Sequence, residues 1–126
     1  MEVIRTDAAP AAIGPYSQAI AEGTLVFTSG QLPIDPVTGE LRNGDIATAA
    51  GQALSNLRAT LVAGGADMNT VLKTTVFLSD IGNFQAFNTV YAEFFREPFP
   101  ARSCVQVGAL PKGALVEIEA VATRKT

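Results

Sequence analysis

The chain has 126 residues, a net charge of −3 from 9 basic and 12 acidic side chains, 48% hydrophobic and 17% charged residues. That length fits a single domain over residues 1–126, able to bury a core without disulfides or a structural metal, and the scattered basic residues make nucleic acid a poor partner. There is no histidine, which excludes a Ser-His-Asp or Cys-His nucleophile and the usual zinc site; the one cysteine, Cys104, cannot form an internal disulfide and fits a reducing, cytoplasmic setting.

The start, Met-Glu-Val-Ile-Arg, lacks the basic-then-apolar order of a signal peptide. The longest charge-free run, Ala8 to Ala21, has 14 residues and contains Pro10, Gly14 and Pro15, so no membrane span is expected. A small domain this apolar predicts surface buried between subunits, hence a homo-oligomer.

In chain order, Glu2 to Thr6 reads as a short strand and Ala8 to Pro15 as a loop. Tyr16 to Ala21 and Thr24 to Thr28 read as a hairpin turning at Glu22-Gly23, and Asp35 to Gly39 as a turn cluster. From Ile46 the period becomes helical: Ile46, Ala50, Ala53, Leu54, Leu57 and Leu61 share a face, Asp45 is the expected N-cap and Gly64-Gly65 the stop. Val71 to Ser79 is rich in β-branched residues and predicts a strand. A second helix follows from Asn83 to Arg96, carrying a stripe of Phe84, Phe87, Tyr91, Phe94 and Phe95, and Pro98 and Pro100 end it. Ala101 to Val107 and Leu115 to Ala122 are the last strands. The order β-β-β-α-β-α-β-β gives an α+β domain whose two helices can cover one sheet face.

The last two strands hold the chemistry. Side chains alternate along a strand, so Arg102, Cys104 and Gln106 point one way, while Glu117 and Glu119 oppose Val116, Ile118 and Ala120. If the two strands pair, a guanidinium, a thiol and carboxylates share the face left open by the helices. An arginine fork receives a small carboxylate, and a glutamate can hold or activate water. The plainer alternative is an Arg102–Glu117 ion pair that rigidifies the surface. Tyr16, in Gly14-Pro15-Tyr16-Ser17, and Ser29 and Gly30, in Thr28-Ser29-Gly30-Gln31, read first as turn residues, able to offer a phenol, a hydroxyl and carbonyls at strand ends. Asn88 reads as a helix-surface or capping amide.

Six stretches together resemble the Rid (reactive intermediate deaminase, YjgF) family. They are Ala-Pro-Ala-Ala-Ile-Gly-Pro-Tyr-Ser-Gln (9–18), Thr-Ser-Gly-Gln-Leu-Pro (28–33), Lys-Thr-Thr-Val-Phe-Leu (73–78), Tyr-Ala-Glu-Phe-Phe (91–95), Pro-Ala-Arg-Ser-Cys-Val (100–105) and Val-Glu-Ile-Glu-Ala (116–120). The resemblance covers essentially the whole chain. It implies a chorismate-mutase-like fold, a mixed sheet with two helices on one face, and a homotrimer whose sheets form a barrel with active sites in clefts between subunits. The implied activity is hydrolysis of reactive 2-imino acids, such as 2-iminobutanoate and 2-iminopropanoate, to 2-keto acids and ammonia, with neither cofactor nor metal.

Carried over by motif, Arg102 clamps the substrate carboxylate, Glu117 positions the attacking water, and Tyr16, Ser29, Gly30, Asn88 and Cys104 line the pocket. Cys104 is read as pocket wall rather than nucleophile, because a thiol with a pKa of about 8.5 is largely protonated at neutral pH. The chain departs from the family in a short Arg96–Phe99 connection and in Gln106, where many relatives carry glutamate. Two other readings stay open: a non-catalytic module sensing small carboxylates through the same cleft, and a ribonuclease or translation inhibitor, which the acidic balance disfavours.

Overall fold

The computed structural model describes residues 1–125. Six strands form one mixed sheet: β1 (Glu2–Ile4), β2 (Ala19–Glu22), β3 (Leu25–Thr28), β4 (Val71–Leu78), β5 (Ala101–Gln106) and β6 (Val116–Thr123). Two long helices, α1 (Ile46–Ala63) and α2 (Phe84–Phe94), cover one face. The spatial order is β1-β2-β3-β6-β4-β5, antiparallel throughout except for the parallel β4/β5 pair, which α2 connects.

Local sequence explains most of these elements. The β2–β3 hairpin turns tightly, Glu22 pairing with Leu25 and Gly23 taking a left-handed φ of 59° that a side chain would resist. Asp45 caps α1, its Oδ1 accepting from Thr48 N at 2.8 Å, and the helix stops at Gly64 before Gly65 at φ 84°. Ala49, Ala50 and Ala53 are fully buried beside Leu54, Leu57 and Leu61, so small side chains let α1 lie close to the sheet. Each buried leucine contributes about 1.5–3 kcal/mol. Along β6 the alternation is regular: Val116, Ile118, Ala120 and Ala122 are buried, while Glu117, Glu119, Val121 and Thr123 are half-exposed.

Three boundaries differ from expectation by two residues or more. β1 ends at Ile4, and the hairpin's first strand begins at Ala19 instead of Tyr16. The cause is Gln18, buried, whose amide donates to Thr6 O and Pro10 O and accepts from Thr6 N, pinning the 6–10 loop and releasing residues 16–17 from the ladder. α2 closes at Phe94 because Phe95 is already extended.

A larger correction concerns the final strands. β5 and β6 do not pair, because β4 lies between them. The registers Thr74↔Arg102, Val76↔Cys104 and Leu78↔Gln106 put Arg102, Cys104 and Gln106 on the helix-covered face with the buried Thr74, Val76 and Leu78. Glu117 and Glu119 sit opposite Phe77 and Thr75 on the open face. The predicted common surface and the Arg102–Glu117 ion pair are therefore absent from the fold of one chain. That open face is partly apolar, with Phe27 44% and Val105 45% exposed.

Candidate functional site

The seven predicted site residues divide into two groups. Tyr16, Ser29, Gly30 and Glu117 line one cavity of about 510 Å³. Arg102 and Asn88 line another, of about 330 Å³, which shares no residue with the first. Cys104 belongs with Arg102, two residues along on the same strand face.

The first cavity is made by a fault in the sheet. Phe27 stands opposite Val121 and Gln31 opposite Ile118, four steps on one strand against three on the other. One extra residue is accommodated at Ser29-Gly30, a bulge of the kind that re-aims side chains beside active sites. It turns Gln31 inward, and Gln31 and Ile118 exchange both backbone hydrogen bonds, at 2.7 and 3.1 Å. Gly30 then lies directly against the Glu117 carboxyl: a Cβ there would run into Oε2 and come within 2.6 Å of Cδ. Only glycine leaves that carboxyl its place.

Burial pushes the Glu117 carboxyl above the usual carboxylate range, and the neighbouring Glu119 charge adds to the rise. The Ser29 hydroxyl donates to Ser17 O at 2.6 Å, so its proton is committed to the loop that carries Tyr16. Tyr16 itself is half-exposed at the cavity wall. Opposite stands Lys112, whose left-handed φ of 59° belongs to a turn pinned by Asn43, which donates to Gly113 O and accepts from Leu115 N.

The second group is built on a helix. Arg102 Nη1 donates to Asn88 Oδ1 at 2.7 Å, and its Cζ lies 4.8 Å from the Tyr91 ring centroid and 5.5 Å from that of Phe84. Asn88 is thus neither a cap nor an idle surface amide. Phe84, Asn88 and Tyr91 stand at i, i+4 and i+7 on α2, one ridge facing β5. Burial raises the Cys104 thiol further above neutrality, and Arg102 offsets only part of that rise. The free cysteine is a neutral thiol packed beside the core. Gln106 turns outward along the same strand, accepting from Ile81 N at 2.8 Å.

Sequence reasoning missed Tyr91, Phe84, Lys112 and Asn43. The spacing of Phe84, Asn88 and Tyr91 was a usable signal, hidden because aromatic stripes ordinarily mean core. Nothing local marked Lys112 or Asn43, which are 69 positions apart and joined only by the fold. Among the described residues no three His, Cys, Asp or Glu side chains gather as a metal site.

Residues 6–124 match the family described as Endoribonuclease L-PSP. A RutC family protein, y4sK of Sinorhizobium fredii, is 55% identical over 96% of this chain and 96% of its own. The 2-iminobutanoate/2-iminopropanoate deaminase of Bos taurus is 50% identical over 98% of this chain and 90% of its own. Among solved structures, E. coli TdcF with bound serine superposes with a TM-score of 0.94 at 45% identity, covering 99% of this chain and 100% of that one.

Proposed function

The chain belongs to the Rid family, also described as YjgF or L-PSP, and from that premise we propose that it hydrolyses 2-imino acids such as 2-iminobutanoate and 2-iminopropanoate to 2-keto acids and ammonia, in a site that two copies of the chain complete. The observation that carries the proposal is the division just described: the Arg102 guanidinium and the Glu117 carboxyl lie on opposite sides of one sheet. Neither half can hydrolyse an imine alone. A second copy, packed on the partly apolar open face in a homotrimer, supplies the missing half.

The mechanism follows from what each half offers. Arg102 is held by Asn88 through Nη1, which leaves its Nε–Nη2 edge for the substrate carboxylate. That contact fixes the adjacent iminium carbon. Glu117 from the other copy accepts a proton from water and directs the oxygen to that carbon. Forming the carbon–oxygen bond gives a tetrahedral carbinolamine; proton transfer to nitrogen and cleavage of the carbon–nitrogen bond release ammonia and the 2-keto acid. Tyr16, Ser29 and Gly30 wall the water side, and Asn88 and Cys104 the carboxylate side. That TdcF was solved with bound serine supports a small amino-acid-like carboxylate as the ligand class. The reading sets the reaction in the cytoplasm, in keeping with a lone free thiol; among the described residues no helix is long and apolar enough to cross a membrane.

The test generates 2-imino acids in situ with an amino-acid oxidase or threonine dehydratase and follows keto-acid and ammonia release. Co-refolding Arg102→Ala with Glu117→Gln chains, each inactive alone, then asks whether the halves come from different copies. Random assembly gives about a quarter of the sites both native residues, with activity to match. No recovery in mixed oligomers, or a protein monomeric across micromolar concentrations, would sink the shared site.

A further inference from the structure

Arg102 is held more tightly than a charge in a wet cleft requires, and much of the hold comes from a residue assigned no part in the reaction. Tyr91 is 6% exposed, and its hydroxyl hydrogen-bonds to Thr74 Oγ1 at 2.7 Å. Thr74 is fully buried and is the register partner of Arg102 on β4, on the same sheet face. The phenol is thus anchored beside Arg102's own backbone while its ring lies 4.8 Å from the guanidinium carbon. Phe84, two ridge positions away on α2, brings a second ring to 5.5 Å, and Asn88 between them takes Nη1. Three contacts from one helix, one of them anchored to the neighbouring strand through Thr74, leave the guanidinium little freedom of tilt.

An interior hydroxyl pair is an unusual choice where an apolar pair would pack as well. A phenylalanine against valine would fill the space without desolvating two polar groups. What the Thr74–Tyr91 bond adds is direction: it fixes the ring's rotation about the helix side chain, and the ring face in turn attracts the guanidinium. Phe87 and Phe95 pack against Tyr91 at ring separations of 5.6 and 4.5 Å and close off alternative rotamers.

We propose that Tyr91, locked by Thr74 and assisted by Phe84, is a positioning residue that sets the plane of the Arg102 guanidinium for carboxylate recognition. This rests on the deaminase reading of the same site and adds to it a requirement for aromatic rings on α2. The effect of Tyr91 passes through Arg102, because its hydroxyl is committed to Thr74 and its ring lies against the guanidinium.

Three readouts on the intact oligomer test it: the ¹⁵N–¹H side-chain signal of Arg102, assigned by its loss in Arg102→Lys; binding of 2-oxobutanoate; and kcat and KM with in situ imine. Tyr91→Leu should mobilise the Arg102 signal, weaken 2-oxobutanoate about tenfold and lower kcat/KM by a similar factor, with Phe84→Leu about threefold, the range one cation–π contact spans. Tyr91→Phe should restore most of the loss, and Thr74→Val should resemble Tyr91→Phe. If Tyr91→Leu does not fold, Phe84→Leu, at a position only partly buried against the core, decides. Folded Tyr91→Leu or Phe84→Leu protein with an unchanged Arg102 signal and unchanged 2-oxobutanoate binding overturns the proposal, making the rings core packing only. The Arg102 signal needs no substrate, so a wild-type protein without imine turnover would sink the deaminase reading while leaving the cradle to be judged on that signal.

Discussion

The two halves of the site are built to opposite specifications. Arg102 rises from a regular strand and is clasped by a helix whose buried aromatics are continuous with the core. Glu117 rises from an equally regular strand, but its surroundings are a bulge, a loop tied down by Gln18 and a turn tied down by Asn43. Arg102, the proposed carboxylate receptor, is therefore fixed by packing, and the surroundings of Glu117, the proposed water site, by hydrogen bonds between segments of irregular backbone. Charge management differs as well. The guanidinium lies over ring faces, whereas burial already works against the Glu117 charge in a single chain.

Substitution at Arg102 should strike hardest. Arg102→Ala removes two charge-assisted hydrogen bonds worth about 1.5–3 kcal/mol each, or roughly 10²- to 10⁴-fold in turnover. Arg102→Lys keeps the charge but not the fork, and should lose much of the same activity. Both should stay folded and oligomeric by light scattering, since the guanidinium is only half-buried. An unfolded Arg102→Ala beside a fully active Arg102→Lys would reduce the residue to a structural tie.

On the other half, Glu117→Gln keeps size and shape and removes the proton acceptor, for a loss of about 10²-fold or more in kcat at intact 2-oxobutanoate affinity. Gly30→Ala probes the same carboxyl by space instead of charge. Its Cβ would displace the Glu117 carboxylate, and a shift of about 1 Å at a reacting group costs up to roughly 10²-fold. A fully active Gly30→Ala enzyme would mean that Glu117 can work from another rotamer.

The pH profile reads the charge contrast. Glu117 must be ionised to accept a proton, and its pKa is raised by burial and then by Glu119. Activity should accordingly fall, on acidification, through a value above the ordinary glutamate pKa of about 4.3. Glu119→Gln removes the like charge and should move that acid limb to lower pH, with little change on the plateau. An acid limb that shifts upward or stays put would detach Glu119 from the site.

Cys104 should matter least. A neutral thiol packed beside the core can be replaced by alanine or serine with retention of substantial activity, and no covalent adduct should accumulate with substrate by mass spectrometry. Complete inactivation of a folded Cys104→Ala oligomer would give the thiol a chemical role.

Much of the molecule was legible from local signals. The alternation of Val116, Ile118, Ala120 and Ala122 with Glu117 and Glu119 fixed β6 and which of its faces is core. Asp45, the apolar stripe and Gly64-Gly65 bounded α1 to within a residue, and Gly23 marked the hairpin. These are interactions between near neighbours in sequence, so their cause travels with the segment. The motifs, taken together, also named the family. What the strands pair with is a different kind of question. β5 carries the same alternation whether it lies beside β6 or β4, and only the crossover through α2 sets it parallel to β4 at the sheet edge. That one non-local choice put Arg102 under the helix instead of beside Glu117. Tertiary contact likewise decided the Ser29-Gly30 bulge, which depends on how β3 registers against β6, and it made Tyr91 and Asn88 a cradle for an arginine from another strand. Pairing and register are set by the partner's backbone and by what the assembled core can bury, and neither is written in the segment itself.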